Sequence, residues 1–342
     1  MATTAGIAAA AVALPFLIHS LIAKANASAR TARIPQTKER VVIIGASSGI
    51  GAELARIYAK RHAHIVLVAR RIQLLEDLVK ELAPMAGSIH ALRGDVTLPD
   101  DVYKITIESL RFLQGGIDTL ILCAGIISVL PFEELAGIDP AAPASPDSTT
   151  PGHEFDHLMP TDPSAACHAA ARIMNVNYYA PFNLTAHFLP ALTRTSVAGN
   201  LLVVSSMAGK LGAPTRSIYC ASKHAVQGFF DALSMEVERT GVHVGIVSPG
   251  TVETDLRQSA VDLPQQESSS SATSSTSAQP KKVAGTKKGA MSAKACAEGI
   301  VQASDLRQHD VVMPWFYQAS LALHIISPRL VRWLAKKKYG YV

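Results

Sequence analysis

From residue 40 onward, short runs of Val, Ile and Leu alternate with longer stretches whose apolar residues recur every three or four positions. RVVIIG (40–45), HIVLVA (64–69), IHALRGDV (89–96), DTLILCAG (118–125), NLLVVSS (200–206) and VHVGIVSPG (242–250) read as strands. Most are almost continuously apolar, as expected when helices cover both faces of a sheet. Between them, 49–63, 70–86, 100–113, 172–192 and a stretch around residue 220 carry the helical period. This alternation predicts an α/β fold built on a doubly wound parallel sheet, a Rossmann fold.

Two segments break the pattern. Residues 138–166 are rich in Pro, Ala and Ser and read as a surface insertion before a long helix. Residues 258–290 hold QQESSSSATSSTSAQPKK, a low-complexity tract that cannot bury a core and is expected to be disordered. The expected organisation is a membrane anchor and basic linker over 1–35, a catalytic domain over 36–310, and a membrane-associated segment over 311–342.

The two ends carry the membrane expectation. Residues 5–23 form an uncharged run followed by Lys24, Arg30, Arg33, Lys38 and Arg40. As a helix it would extend about 28 Å, near the bilayer's apolar thickness, and the positive-inside rule places the bulk of the chain in the cytosol. An interfacial or targeting segment and a cleaved signal peptide are the alternatives. At the other end, Trp315, Phe316, Tyr317 and Trp333 stand near Arg329, Arg332 and Lys336 to Lys338. Pro314 and Pro328 interrupt this run, which suits a helix in the headgroup region or one packed on the domain or a second subunit.

Apolar residues make up 48% of the 342 positions and charged residues 17%, enough for a large core. The net charge of +5 is not interleaved with aromatics, so an anionic membrane surface suits it better than nucleic acid. Four scattered cysteines, with no paired spacing, point to a reducing compartment and to neither zinc nor a disulfide framework.

Two motifs carry chemistry. GASSGIG (45–51) lies between the first strand and the first helix. Gly45 permits a sharp turn, Gly49 a close phosphate, and Gly51 tight helix–strand packing, so pyrophosphate can sit at the helix N-terminus. IYCASKHA (218–225) puts Tyr219 and Lys223 one helical turn apart on one face. Taken alone, that pair is also compatible with a solvated helix.

Together, GASSGIG, CAG, NVN, SS, YCASK and SPG in this order resemble the short-chain dehydrogenase/reductase family over roughly 38–255, and the hydrophobic ends resemble its membrane-anchored branch. The resemblance implies a catalytic set of Asn177, Ser206, Tyr219 and Lys223. It also implies a cofactor site. The glycine loop would supply Gly45, Ser47, Ser48, Gly49, Ile50 and Gly51. Arg70, Arg71, Asp95, Val96, Ala124 and Gly125 would line its middle. Tyr219, Lys223, Pro249, Gly250, Val252 and Thr254 would stand beside the nicotinamide. Departures from the family pattern are Ile44, where Thr is frequent, and Cys123, where Asn is frequent.

In this resemblance Tyr219 protonates a carbonyl oxygen as hydride arrives, Ser206 holds that oxygen, and Asn177 holds a relay water. Bringing the phenol from about 10 to about 7 needs roughly 4 kcal/mol, which Lys223 and a nicotinium charge are expected to supply in large part. An acid that would bind a ribose diol is replaced by Ala69, with Arg70 and Arg71 following, which points to NADP(H). The expectation is a membrane enzyme, placed in the endoplasmic reticulum with its catalytic domain in the cytosol. It would interconvert carbonyl and alcohol on a lipid-like substrate, with a homodimer allowed and no metal. A catalytically silent nucleotide-binding scaffold and a secreted enzyme are the rivals.

Overall fold

The computed structural model describes residues 30–138, 163–262 and 290–341. The run at 5–23, most of the insertion and residues 263–289 of the Ser-rich tract lie outside the described residues. Among the described residues, no helix is long and apolar enough to cross a membrane.

Six parallel strands follow the expected order of alternation. They are β1 (Arg40–Ile44), β2 (His64–Ala69), β3 (Ser88–Arg93), β4 (Thr119–Leu122), β5 (Asn200–Val204) and β6 (His243–Pro249). A seventh, β7 (Asp310–Met313), joins beyond β6, giving the order β3-β2-β1-β4-β5-β6-β7. The strand order reverses between β1 and β4, which opens a crevice at their carboxyl ends.

Alternate residues of β1 face opposite helix layers. Val42 and Ile44 join one core with α3 (Pro99–Phe112), α5 (Ala180–Thr195) and α6 (Ser217–Val237). Val41 and Ile43 join the other with α1 (Gly49–Lys60), α2 (Ile72–Leu82) and α7 (Ala293–Asp305). Each fully buried Ile or Leu contributes about 1.5–3 kcal/mol by leaving water, so the two layers fix the register of the whole sheet.

Four differences from the sequence expectation have physical causes. The α/β fold does not stop at residue 310, because Val311 to Met313 complete a strand paired to Ile246–Pro249. Nor does it begin at 36: Arg30 is buried, with its guanidinium on Glu39 and Thr119. The start of the Ser-rich tract is ordered, since Ala260 bridges to Ile127 and Asp262 Oδ2 accepts from the backbone N–H groups of Val129 and Leu130. The long helix begins within the expected insertion as α4 (Pro163–Met174), and a π-helical turn at Asn175–Tyr179 leads it into α5.

The chain ends in two helices, α8 (Phe316–Ile326) and α9 (Pro328–Tyr339). They fold back over the carboxyl edge of the sheet, where Tyr317 covers Gly250 so closely that a Cβ there would collide with its ring.

Candidate active site

The β1–α1 loop is built for close approach. Gly45 has φ +87° and Gly49 φ +54°, both in the left-handed region that glycine adopts without penalty. A Cβ at Gly45 would strike the Ala124 backbone nitrogen at 2.7 Å, and one at Gly51 would enter the Gly45 carbonyl. One at Gly49 would lie 3.0 Å from Thr254 Cγ2, so the loop and the segment after β6 meet across the crevice. Ile50 packs on the core behind the loop. The first turn of α1 therefore faces open backbone with its unpaired N–H groups, a ready anion cradle.

Arg71 reaches back over this cradle. Its Nη2 donates to Ser47 Oγ at 3.0 Å and to Ser48 Oγ at 2.9 Å. Arg70 turns instead toward Asp95, with Nη1 3.8 Å from Oδ2, and stays largely exposed. The two arginines are thus not equivalent, and it is Arg71 that meets the phosphate loop. Asp95 Oδ1 accepts from the N–H and hydroxyl of Thr97, which caps the turn after β3, while Val96 is buried.

The expected catalytic residues converge at the carboxyl ends of β4, β5 and β6. On α6, Tyr219, Lys223, Val226, Phe230, Leu233 and Val237 recur on one buried face. That stripe delivers the phenol and the ammonium under the sheet edge. Lys223 Nζ donates to the Val204 carbonyl at 2.9 Å and lies 5.9 Å from the Tyr219 ring centroid. A Cβ at Gly125 would lie 3.8 Å from Lys223 Nζ and 3.4 Å from Asn177 Oδ1, so the backbone there runs beside both groups. Ser206 Oγ accepts from the Ala208 N–H at 3.1 Å and caps a short helical turn.

Asn177 is tied down more firmly than its sequence context suggests. Its Oδ1 accepts from the Ile126 N–H, and its Nδ2 donates to the Ile126 carbonyl and to Ser222 Oγ. Both amide hydrogens are committed, so a water could be held only by the second lone pair of Oδ1 or by main chain in the widened turn. Pro249 ends β6 against Met313, and the Gly250 N–H donates to the Met313 carbonyl at 2.7 Å. Val252 begins a two-residue strand paired with Met291, and Thr254 Oγ1 accepts from the Leu256 N–H.

Electrostatics depart from the sequence expectation. Burial pushes the Tyr219 phenol up to about 12, with Ser206 and then Arg216 working in the opposite direction. Burial also pushes Lys223 down to about 8, against a smaller upward pull from Cys123. The Cys123 thiol is itself pushed up to about 12 by burial. In the protein alone, burial of the phenol outweighs the lowering by Ser206 and Arg216.

Sequence reasoning missed the roof of the site. A cavity of about 320 Å³ has Ser206 and Tyr219 on its floor, the segment after β6 along one side, and Tyr317, Leu323, Val331 and Leu334 of the last two helices above. Arg216, Arg257 and Lys338 also line it. Their positions after the last recognisable motif, or just before Tyr219, carry no sequence signal for a cavity.

A short chain dehydrogenase family model matches residues 39–139 and 161–264. Dehydrogenase/reductase SDR family member 7B of Mus musculus is 32% identical over 225 residues, covering 65% of this chain and 60% of the mouse protein. The match thus spans less than two thirds of that relative. Dehydrogenase/reductase SDR family protein 7-like of Drosophila melanogaster is 29% identical over 329 residues, 96% of this chain and 88% of the fly protein. Among solved structures, an alcohol dehydrogenase from Thermococcus sibiricus complexed with 5-hydroxy-NADP superposes with TM-score 0.59 at 22% identity, covering 81% of this chain and 96% of that one. A short chain dehydrogenase/reductase from Burkholderia phymatum in complex with NAD gives 0.64 at 20% identity, covering 86% and 96%. The seven-stranded parallel sheet, the glycine cradle and the extent of the family match agree, and the chain belongs to the short-chain dehydrogenase/reductase family of oxidoreductases.

Proposed function

We propose that this protein is an NADPH-dependent reductase of hydrophobic carbonyl compounds that works at a membrane surface. The observation that carries this reading is the cavity itself, with Tyr219 and Ser206 on its floor, the glycine cradle beside it and an apolar roof above. The cradle fits a dinucleotide, since the chain is stripped of side chains where a pyrophosphate must approach. Arg71 favours the 2′-phosphate form, because its guanidinium already lies on Ser47 and Ser48 at the rim of that cradle. Bound there, NADPH supplies the hydride.

Every other role falls to the chain. Burial keeps Tyr219 protonated at neutral pH, so its hydroxyl carries the proton that a carbonyl oxygen would take. Ser206 would hold the same oxygen as negative charge builds on it. Lys223, 5.9 Å from the ring, would stabilise the phenolate left behind and is placed to hold a ribose hydroxyl. Asn177 would fix the Gly125–Ile126 backbone against which these groups are set. Tyr219 is the proton donor in this reading.

The membrane part rests on α8 and α9. Trp315, Ile325 and Ile326 are each more than three-quarters exposed, and Leu330, Trp333 and Leu334 are also exposed. Lys337 Nζ stands 5.2 Å from the Trp333 ring, in line with a lipid headgroup boundary. The location we propose is the cytosolic face of the endoplasmic reticulum. The test is NADPH and NADH oxidation by the purified chain in vesicles, over a series of aliphatic aldehydes of increasing length. NADPH should be preferred at least tenfold and kcat/KM should rise with chain length. Equal use of both cofactors, or a decline with length, would contradict the reading.

A further inference from the structure

Arg216 stands at the start of α6, three residues before Tyr219, and is buried to 6% exposure. Two other arginines with little exposure are neutralised: Arg30 meets Glu39 at 2.8 Å, and the half-buried Arg61 meets Asp305 at 2.8 Å, whereas the half-buried Arg307 donates only to the Gly199 and Gly241 carbonyls and lies outside the cavity. Arg216 has no such partner among the described residues. Only its Nη1 donates there, to the carbonyls of Ser128 and Thr215 and to Thr215 Oγ1, at 3.0–3.1 Å. Tyr339 and then Asp262 act on it through space; Asp262 Oδ2 accepts from the N–H groups of Val129 and Leu130, its Oδ1 has no hydrogen-bond partner among the described residues, and neither oxygen forms an ion pair with Arg216.

An uncompensated buried guanidinium is costly, since desolvation is offset only by a well-placed anion. Burial indeed pushes Arg216 below its ordinary value. The backbone before it is also constrained. Thr215 sits at φ +61°, a conformation sparsely used by β-branched residues, and such strain gathers at functional sites. Arg257 and Lys338 line the same cavity, whereas no Asp or Glu among the described residues does. On the opposite side Leu323, Val331 and Leu334 give an apolar wall.

We propose that Arg216, assisted by Lys338, is an oxyanion subsite within the catalytic cavity. The substrate is then a carbonyl compound with an apolar tail and a carboxylate or phosphate a few bonds from the reacting carbon. Arg216 caps the helix that carries Tyr219 three residues on, and both line the cavity, which sets the spacing. A guanidinium fork matches either oxyanion bidentately. The inference deepens the reductase reading and rests on it for the reacting carbonyl alone.

The test separates binding from turnover. With NADP+ present, which cannot donate hydride, calorimetry measures binding of γ-oxodecanoate and of its methyl ester to the full chain in detergent. The acid should bind at least tenfold tighter than the ester. Arg216→Gln should shrink that preference about 10- to 100-fold, as expected when a buried charged partner is lost. Lys338→Gln, on an exposed position that tolerates change, should shrink it in the same direction by less. NADPH fluorescence shows that each variant is folded. A preference that is absent in the wild type, or unchanged in both variants, overturns the subsite. Arg216-dependent binding without NADPH oxidation would instead sink the reductase reading and leave the subsite standing.

Discussion

Lys223 shows most directly what the site costs the fold. Its ammonium is buried and held down to about 8, well under the ordinary 10.5. Below pH 8 both the folded and unfolded chains carry the proton, so the burial penalty is fully present. Between about 8 and 10.5 the unfolded chain binds more protons, so stability rises with pH across that window. Lys223→Met should therefore stabilise the cofactor-free protein at pH 7 by on the order of 1–2 kcal/mol, after loss of the bond to Val204 is counted. The gain should fade as pH approaches 10. Thermal melts at pH 7 and pH 10 check this, and a variant less stable than wild type at pH 7 would contradict it. At the same scale, Arg71→Asp should weaken NADPH far more than NADH, whereas Arg70→Asp should weaken the two more evenly. Fluorescence titration with each cofactor decides between the two arginines.

At the scale of elements, the strands and the first helices were legible because both signals were strong. Val41 to Ile44 form an unbroken apolar run, and Gly45 to Gly51 punctuate it at the spacing a phosphate turn needs. Helix α7 was not legible. Its AKACAEGIVQASD is rich in small residues, and it is buried through close packing against α1 rather than by a bulky stripe. Strand β7 was hidden by the Pro and aromatic residues just beyond it, which read as tail. The π-helical turn at 175–179 has no sequence signature, yet it sets Asn177 against Ile126 and Ser222. Asn177→Ala should leave the Ile126 N–H and carbonyl unpaired and cost about 1–3 kcal/mol. A melting point unchanged from wild type would show that the turn is held by other contacts. That Tyr219, Lys223, Ser206 and Asn177 come together was legible in the motifs, but their electrostatics were not, since burial of Tyr219 is a property of the assembled fold and not of YCASK.

For the whole molecule, the same two C-terminal helices that cover the cavity expose their apolar and basic residues outward. A substrate in a lipid surface would thus meet the roof before the floor. The boundary at Arg30 also matters, because its bonds to Glu39 and Thr119 bind the start of the described chain to the sheet. A truncation should remove 1–29 and not 1–34. That protein should still bind vesicles containing anionic lipid, and release them in salt, because part of the attraction is electrostatic. Replacing Trp315 and Trp333 by Ser should weaken this binding at least several-fold, and unchanged flotation would refute the role of the helices.

In the proposed reaction Tyr219 donates the proton in a hydride-transfer site, and this role rests on its hydroxyl alone. It is tested most directly by Tyr219→Phe, assayed for NADPH oxidation with a long-chain aldehyde alongside NADPH affinity. At least a thousandfold loss of kcat is expected with affinity within about twofold of wild type, since only the hydroxyl is removed. Retention of more than a few per cent of activity would contradict it, as would a wild-type protein that binds NADPH and turns over no carbonyl compound.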